Sequence, residues 1–333
     1  MSHVGLEATA SYLPETVIDN SFFSKGAKSS HPMFKGARER RHVSPEETSV
    51  TMIEQAVKKL AEKTERDLAK EVDILLTNVT CLDIPFTGSG AAVAHKLGLK
   101  PKWILDVHNT GCVSFIYMME IAQKLMADGE AKTALICNVQ NAAGRVFNHP
   151  DNVTRPQSAI PGDGCGVGLL VKDGKNPIKS ILTKNFGEYA QDMLVTNEKN
   201  ENWWDPREKS LYIDFSEDRL GSIVARGNRL VPEVMYTALK QAGIQSSDID
   251  TMVTNQPNSI FLRNWREALL LSEEKQVESY QEHGNLFGAA IPINIERAMS
   301  EAQRCPDGGY MALGGFSHAG DYAAAAVVQF DQN

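Results

Sequence analysis

A cysteine between a predicted strand and a predicted helix is the residue of this sequence best placed for covalent chemistry. The strand covers 103–107 and the helix starts near Val113, so Cys112 lies in the first helical turn. The free N–H groups and the positive end of a helix stabilise a thiolate, which predicts a lowered pKa for Cys112. The same N–H groups can bind the oxyanion that forms when a thioester is attacked. The alternative is a buried cysteine with a structural role.

An asparagine occupies the equivalent place later in the chain. Asn285 precedes a predicted helix that ends near Met299, as Cys112 precedes one that ends near Met126. Residue 285 follows residue 112 by 173 positions, and the two helix ends are separated by the same 173 positions. Fixed spacing of this kind is typical of a duplicated structural unit. We therefore expect Cys112 and Asn285 at equivalent helix starts.

Two further pairs of segments support this duplication. They are buried strands that follow amphipathic helices, at 72–78 and 249–255, and Gly/Ala-rich strands, at 162–171 and 320–329. The pattern predicts an α/β fold built from two βαβ-rich units. The expected halves are 1–175, which carries the nucleophile, and 176–333. The polar segment 184–229 has no counterpart, and we expect an excursion there, either a surface loop or a lid or tunnel wall for an acyl chain.

The composition argues against several classes of protein. The chain has 333 residues, 42% of them apolar and 23% charged, which is typical of a globular protein, and its net charge of −8 argues against nucleic-acid binding. No apolar run has the length of a membrane span and the N-terminus lacks a secretory pattern, so a cytoplasmic location is expected. The five cysteines form no CxxC pair and the histidines no HExxH motif, so neither a disulfide framework nor a metal site is expected.

Several motifs together resemble a known family. They are the stretches 10–17 (ASYLPETV), 36–42 (GARERRH) and 45–48 (PEET), the turn around Cys112, and the stretches 162–164 (GDG) and 283–292 (HGNLFGAAIP). In these motifs, over nearly its full length, the chain resembles β-ketoacyl-acyl-carrier-protein synthase III and its relatives in the thiolase superfamily. The resemblance implies a five-layered αβαβα thiolase fold, in a homodimer or in a heterodimer with a paralogue. It also implies a covalent acyl-cysteine intermediate on Cys112.

Asn285 matches the family's catalytic asparagine, but the family's catalytic histidine is missing. Condensing members carry that histidine in a His-Gln-Ala-Asn motif, and the matching segment here reads Asn-Gln-Pro-Asn at 255–258. Asn255 can donate a hydrogen bond, but it can be neither a charged donor nor a base. This puts the usual decarboxylation of a malonyl thioester in doubt. Biosynthetic thiolases carry an asparagine at this position, so the substitution is compatible with carbonyl chemistry.

A histidine in the last loop is the expected replacement. The related synthases have a glycine-rich loop there and thiolases a catalytic cysteine, whereas this chain has His318 within 314–321 (GGFSHAGD). His318 can activate Cys112 or deprotonate an incoming nucleophile, and Asp321 can orient its ring as in a catalytic triad. The alternative is a histidine that only packs in the loop. His283 is the weaker candidate base, because condensing synthases have a non-catalytic histidine at that position.

The expected donor is a phosphopantetheine thioester, on an acyl carrier protein or on coenzyme A, with no permanently bound cofactor. Relatives that use coenzyme A stack its adenine on a tryptophan and hold its phosphates with an arginine, and the corresponding segment 30–35 (SHPMFK) contains neither. This weakens the case for coenzyme A. An acidic carrier protein can bind cationic side chains, for which Arg38 and Arg263, with Arg40 and Arg266, are the candidates.

The leading hypothesis is an acyltransferase of secondary metabolism or of fatty-acid or polyketide-type biosynthesis. Cys112 attacks the thioester, and backbone N–H groups around Cys112 and Ala319 hold the oxyanion. An oxygen, nitrogen or carbon nucleophile then takes the acyl group with help from His318, Asn255 and Asn285. One alternative is a Claisen condensation, decarboxylative or not, in which His318 replaces the missing histidine. Another is an inactive subunit that supports a catalytic paralogue.

Overall fold

The computed structural model describes residues 3–23, 36–108, 110–206, 208–214 and 217–331. The strands are β1 (Val4–Tyr12), β2 (Thr16–Asp19), β3 (Glu39–His42), β4 (Ile74–Val79), β5 (Trp103–Asp106), β6 (Thr133–Gln140), β7 (Gly164–Lys172), β8 (Ile178–Asn185), β9 (Leu194–Thr196), β10 (Tyr212–Asp214), β11 (Ile249–Thr254), β12 (Gln276–Val277), β13 (Tyr310–Ser317) and β14 (Tyr322–Gln329). The helices are α1 (Ser49–Thr64), α2 (Leu68–Glu71), α3 (Gly90–Leu97), α4 (Ser114–Met126), α5 (Glu217–Ala242), α6 (Ser259–Ala268), α7 (Tyr280–His283) and α8 (Ala290–Met299). Within the described part of the chain, no helix is both long and apolar enough to cross a membrane.

The main strands form two five-stranded sheets with the same order and the same strand directions. The first sheet has the order β1-β7-β6-β4-β5 and the second the order β8-β14-β13-β11-β12. In each sheet the first three strands pair antiparallel and the last three pair parallel. The first sheet ends in the chain at Lys172 and the second begins at Ile178. This correspondence supports the division into halves 1–175 and 176–333, which stays a prediction.

Helices cover both outer faces of the sheets and fill the space between them. The central core joins α4 and α8 to both sheets, and Phe115 and Ile291 are fully buried in it. A second core packs α1 and α3 on the first sheet around residues such as Leu60. A third packs α5 and α6 on the second sheet around residues such as Trp265. The layers therefore follow the order αβαβα, which confirms the predicted fold class.

Small residues in β7 allow the central helices to approach the sheet closely. A Cβ at Gly166 would lie 2.6 Å from Pro292 Cγ in α8, and a Cβ at Gly168 would lie 2.7 Å from the Phe115 ring in α4. Both distances are far below van der Waals contact, so a larger residue at either position would push a central helix away. Since α4 begins two residues after Cys112, this packing fixes the turn that carries the cysteine.

The segment without a counterpart is shorter than the predicted excursion 184–229. β8 extends to Asn185 and α5 begins at Glu217, because buried residues such as Leu220 and Ile223 already belong to the apolar face of α5. Between these elements, β9 and β10 pair antiparallel in a small hairpin.

Candidate active site

A cavity of about 330 Å³ is lined by residues from both halves of the chain. Four of the predicted catalytic residues line it: Cys112, Asn255, Asn285 and His318. The apolar lining consists of Val79, Phe147, Ile160, Pro161, Met193, Val195, Ile213, Pro257, Phe261, Phe287 and Phe316. A mainly apolar cavity with a few polar groups at one place is typical of a site that binds an apolar chain and reacts with its polar end.

The turn before α4 brings Cys112 against the loop that follows β13. Cys112 lies in a short 3₁₀ turn, Gly111–Val113, that leads directly into α4, which confirms the predicted strand–turn–helix. Gly111 has a φ of +41°. A Cβ at Gly111 would lie 2.2 Å from Ser317 Oγ and 2.8 Å from His318 Nε2. Glycine is required here, because no side chain fits between the turn and the loop.

Burial raises the pKa of the Cys112 thiol to about 12. A hydrogen bond from the Ser317 hydroxyl favours the thiolate, the charge of Asp321 disfavours it, and bonds from the Asn255 amide and the His318 backbone N–H favour it. The predicted lowering of the Cys112 pKa is therefore wrong. The N–H of Cys112 itself is bound to Ser317 Oγ at 2.9 Å, and the cost of burying the charge outweighs the polar contacts. A thiol with so high a pKa needs a neighbouring base to form a thiolate near neutral pH.

His318 and Asp321 form a hydrogen-bonded pair in the turn between β13 and β14. His318 Nδ1 lies 3.1 Å and 3.0 Å from the two carboxylate oxygens of Asp321. Because Nδ1 is held in this way, Nε2 is the ring atom presented to Gly111 and the cavity. Asp321 is 9% exposed and holds the ring from behind. The structure thus brings the two residues together as the sequence predicts.

The two asparagines of the site differ in how tightly they are held. Asn285 Oδ1 accepts from the N–H of Phe287 at 3.0 Å, which leaves the amide nitrogen of Asn285 to donate into the cavity. Asn255 is 1% exposed, and its side chain bonds both the carbonyl of Phe316, at 3.1 Å, and its N–H, at 3.4 Å. The remaining amide hydrogen of Asn255 is directed to the Cys112 sulfur. Asn255 is therefore a fixed neighbour of the thiol.

The backbone N–H beside the Cys112 sulfur belongs to His318, the residue before Ala319, and the role of N–H groups around Cys112 and Ala319 in holding an oxyanion stays a prediction. His318 has a φ of +48°, in the left-handed region that non-glycine residues seldom adopt. This conformation turns its N–H to the sulfur. The carbonyl of Ala319 accepts a hydrogen bond from Arg226 Nη1 at 2.5 Å, and Arg226 also bonds Asp192 at 2.9 Å. Arg226 thereby links the turn that contains His318 to the segment that contributes Met193 and Val195 to the cavity wall.

Two polar residues of this site, Ser317 and His108, are not among the predicted site residues. Ser317 is fully buried and bonds Cys112, and the only signal for it was its place beside His318. His108 lines the cavity from the segment that precedes Cys112. His283, the weaker candidate base, is half-buried and is not part of the cavity lining, and burial lowers its pKa.

The two arginines predicted to contact the donor are exposed and lie outside the cavity lining. The N–H of Arg38 donates to the Gln281 carbonyl at 3.1 Å, and the Gln281 side chain donates to Ser259 Oγ at 2.9 Å. Ser259 is the first residue of α6, which carries Arg263 one turn later. This chain of contacts links Arg38 to the helix of Arg263.

Arg40 cannot serve as a carrier contact, although the sequence placed it beside Arg38. It is fully buried, and its guanidinium donates to the carbonyls of Ala159, at 2.6 Å, and Ala37, at 3.0 Å. Arg266 is 15% exposed and pairs with neighbouring glutamates of its own surface. Segment 30–35, where the coenzyme A contacts of relatives are missing, lies outside the described residues.

The five layers, together with a cysteine at the start of a central helix, define a protein of the thiolase fold. Two family models match the chain: 3-oxoacyl-(acyl-carrier-protein) synthase III over residues 105–190, and the C-terminal part of the same synthase over residues 239–330. Together they cover more than half of the chain. The chain belongs to this 3-oxoacyl-(acyl-carrier-protein) synthase III-like family, and this places it among the acyltransferases.

Individual relatives are similar over most of their length. The β-ketoacyl-(acyl-carrier-protein) synthase III of Xanthomonas campestris pv. campestris is 25% identical over 304 residues, which cover 88% of this chain and 89% of that protein. The synthase of the same name from Campylobacter jejuni is 27% identical over 333 residues, which cover 98% of each. The crystal structure of 3-oxoacyl-(acyl carrier protein) synthase III, FabH, from Pseudomonas aeruginosa PAO1 matches with a TM-score of 0.82 and 20% identity over 99% of each chain.

Proposed function

We propose that this chain transfers an acyl group from a thioester to an acceptor through an acyl-Cys112 intermediate. The observation that carries the proposal is the common cavity: Cys112 and His318 both line it, and Asp321 holds the imidazole of His318. A thiol with a pKa raised by burial needs a neighbouring base, and Nε2 of His318 is available for that role.

The first half-reaction forms the thioester on the enzyme. His318 Nε2 takes the thiol proton, and the Cys112 sulfur attacks the carbonyl carbon of the donor thioester. The oxyanion of the tetrahedral intermediate accepts hydrogen bonds from donors around the sulfur, including the N–H of His318. The carbon–sulfur bond to the donor then breaks, and the departing pantetheine thiolate takes the proton from His318. Acyl-Cys112 and a free pantetheine thiol result.

The second half-reaction passes the acyl group to an acceptor. His318 Nε2 accepts the proton of an incoming hydroxyl, amine or carbon acid as that nucleophile attacks the thioester carbonyl. The Cys112 thiolate leaves and recovers the proton from His318. The amide nitrogen of Asn285 is positioned to orient the acceptor, and Asn255 to stabilise the departing thiolate.

A Claisen condensation is the second candidate, and the names of the relatives favour it, since both are called β-ketoacyl synthases. In this reaction the acceptor is the α-carbon of a second thioester. In the non-decarboxylative version His318 removes the proton of that carbon, and in the decarboxylative version it contacts a malonyl group that loses CO₂. The position of Asn255 disfavours the decarboxylative version. Its side chain is bonded to Phe316 and Cys112, so it offers little to an enolate oxygen.

A carrier protein is the proposed donor, because Arg38 and Arg263 are exposed cations on connected surface elements. We also propose that the chain acts as a dimer, with itself or with a paralogue. β5 is the edge strand of the first sheet, and Trp103, Ile104 and Leu105 are 41%, 38% and 36% exposed. An open apolar edge strand favours pairing with another chain.

Intact-mass spectrometry after incubation with a panel of acyl thioesters tests this proposal. The expected result is one acyl group per chain in the wild type and none in Cys112→Ala. Malonyl thioester labelled in its carboxyl group then separates the two reactions. Labelled CO₂ that depends on Cys112 and His318 favours condensation, whereas product without CO₂ favours transfer or non-decarboxylative condensation. No adduct from any thioester, with a related chain that co-purifies, would point to an inactive subunit and contradict the proposal.

A further inference from the structure

Ser317 is a fully buried polar residue bonded to the N–H of Cys112, and the proposed steps give it no role. It is the last residue of β13, and its backbone is fixed on both sides by its pairing with Tyr322 and by a bond from the N–H of Gly320 to its carbonyl at 2.8 Å. Its Oγ accepts from the N–H of Cys112 at 2.9 Å. The absence of a side chain at Gly111 makes this contact possible, because a Cβ there would lie 2.2 Å from Ser317 Oγ.

The hydrogen-bond inventory of a hydroxyl decides where the Ser317 proton points. A serine hydroxyl has one hydrogen to donate and two lone pairs that accept. Since Oγ accepts from the N–H of Cys112, its hydrogen remains to be donated. The sulfur of Cys112 is the partner within reach, and this bond favours the thiolate. Ser317 therefore bridges the backbone and the side chain of the same cysteine.

This bridge changes which groups can stabilise an oxyanion. In a helix-start site the N–H of the nucleophile is the expected donor to the oxyanion, but here that N–H is already bound to Ser317 Oγ. Three donors remain beside the sulfur: the hydroxyl of Ser317, the N–H of His318 and the amide of Asn255, whose position is held by its bonds to Phe316. When the sulfur becomes bonded to the acyl carbon it accepts hydrogen bonds poorly, so the hydroxyl of Ser317 and the N–H of His318 become available to the adjacent oxygen.

We propose that the Ser317 hydroxyl is a catalytic hydrogen-bond donor that first supports the Cys112 thiolate and then shares the oxyanion with the N–H of His318. This inference rests on the proposed acyl-Cys112 intermediate. No proton is transferred through Ser317: its O–H bond stays intact, and only the acceptor of its hydrogen bond changes from sulfur to oxygen. The N–H of Cys112 fixes the orientation of the hydroxyl throughout.

Three variants test this role. Ser317→Ala removes the hydroxyl, and Ser317→Thr restores it. Ser180→Ala is the matched control, because Ser180 lies in β8 of the same sheet, its Oγ donates to the Ala238 carbonyl of α5 at 2.8 Å, and neither residue lines the cavity. Thermal unfolding establishes that each variant is folded. If Ser317→Ala is not folded, Ser317→Gly is used in its place.

Two readouts separate chemistry from structure. The rate of Cys112 self-acylation measures oxyanion stabilisation, and we expect a fall of about 10- to 100-fold in Ser317→Ala, recovered at least in part in Ser317→Thr. The pH dependence of Cys112 alkylation by iodoacetamide measures the thiolate independently of acyl chemistry. It should move to higher pH in Ser317→Ala, because a bond that favours the thiolate is lost. A tenfold loss of thiolate slows alkylation only about threefold, since a more basic thiolate is a better nucleophile.

The outcomes distinguish this inference from the proposed function. If Ser317→Ala acylates as fast as wild type, or faster, with an unchanged alkylation profile, Ser317 only occupies the N–H of Cys112 and the inference is wrong, while the acyl-cysteine proposal stands. If the rate of self-acylation falls as much in Ser180→Ala as in Ser317→Ala, the effect is structural and the inference is again wrong. If the wild type shows normal alkylation but no acylation from any thioester, the proposed function itself fails.

Discussion

The two halves share one sheet topology but differ in the connection between their central antiparallel strands. In the first half, residues 141–163 join β6 to β7 and include a π-helical turn, Ala143–Phe147. In the second half only residues 318–321 join β13 to β14. The long connection contributes Phe147 and Ile160 to the cavity wall, and the short one contributes His318.

Equivalent connections in the two halves of a duplicated fold can therefore have different roles. A turn of four residues between paired strands leaves little freedom, so His318 and Asp321 are held within hydrogen-bond distance of each other and beside Cys112. A long connection can shape a wall but needs an anchor. Asp163 provides it, since its carboxylate accepts from the N–H groups of Val43, Ala143 and Gly144 at 2.9, 2.8 and 2.7 Å. Chemistry is predicted to reside in the short connection and stability in the long one.

Replacing the base in the short connection should have the largest effect. His318→Asn keeps a residue that tolerates the left-handed backbone but removes the base, and we expect acyl transfer to fall about 10²- to 10⁴-fold. The residual rate should rise with pH toward the thiol pKa of about 12, because hydroxide then replaces the lost base. Self-acylation measured across pH gives both results. His283→Asn, which changes a histidine outside the cavity lining, is the control, and equal losses in the two variants would contradict the assignment.

Asp321→Asn should separate thiolate formation from transfer. The charge of Asp321 raises the pKa of Cys112, so its removal lowers that pKa and makes alkylation of the cysteine faster. The same change removes the acceptor that orients His318, so acyl transfer should become about 10- to 100-fold slower, short of the larger losses known for triad aspartates. Parallel alkylation and transfer assays test this split. Changes of both rates in the same direction would show that Asp321 does not orient the base.

The anchor of the long connection should affect stability and leave transfer per folded molecule nearly unchanged. Asp163→Asn replaces one acceptor oxygen by an amide that faces an N–H group, which should cost about 1–3 kcal/mol. Burial raises the pKa of Asp163 to about 7, well above the value of about 3.9 in an unfolded chain. The unfolded state therefore loses its proton first, and the wild type should lose stability between about pH 4 and 7. Denaturant unfolding of the wild type and of Asp163→Asn across this window measures the difference between their free energies of unfolding. This difference should become smaller as pH rises, and a difference that grows with pH would contradict the assignment.

We expect the smallest effect from a substitution in the β9–β10 hairpin, which has no counterpart in the first half and forms part of the cavity wall. Ile213→Trp should shorten the longest acyl chain accepted, because Ile213 lines the cavity. Each excluded methylene should reduce kcat/KM about fourfold, from roughly 0.8 kcal/mol of lost burial. Leu194→Trp in the paired strand is the control, since Leu194 is 46% exposed and lies outside the lining. An identical chain-length profile in both variants would show that Ile213 does not limit the length of the acyl chain.

Periodicity and internal repeats were sufficient to predict two βαβ-rich units, whereas the five-layered αβαβα arrangement was predicted from the family resemblance. The strand, turn and helix around Cys112 lie where the sequence predicts them, because a short apolar run followed by a glycine turn and residues at helical spacing is a local property of the sequence. The meeting of His318 with Asp321 was also predictable, since the two residues share one short turn. The end of the excursion 184–229 was harder to predict. The first part of α5 lies in this segment, and its many polar residues conceal the buried apolar face of the helix.

The electrostatics of the site could not be read from the sequence. The raised pKa of Cys112 depends on how deeply the thiol is buried, which only the packed structure decides. The N–H beside the sulfur belongs to His318, and the left-handed backbone that places it there could not be predicted from the sequence. The burial of Arg40 could not be predicted either. A run of basic residues usually lies in solvent, whereas the guanidinium of Arg40 is fully buried.

Peptide mapping of the acylated protein is the most direct measurement of the central claim. Cys112 and Cys81 are the two half-buried cysteines, whereas Cys137, Cys165 and Cys305 are buried, so Cys81→Ala is the matched control for Cys112→Ala. The account predicts that wild type and Cys81→Ala carry the acyl group on the peptide that contains Cys112, and that Cys112→Ala carries none. An acyl group on Cys81, or an adduct that persists in Cys112→Ala, would contradict it.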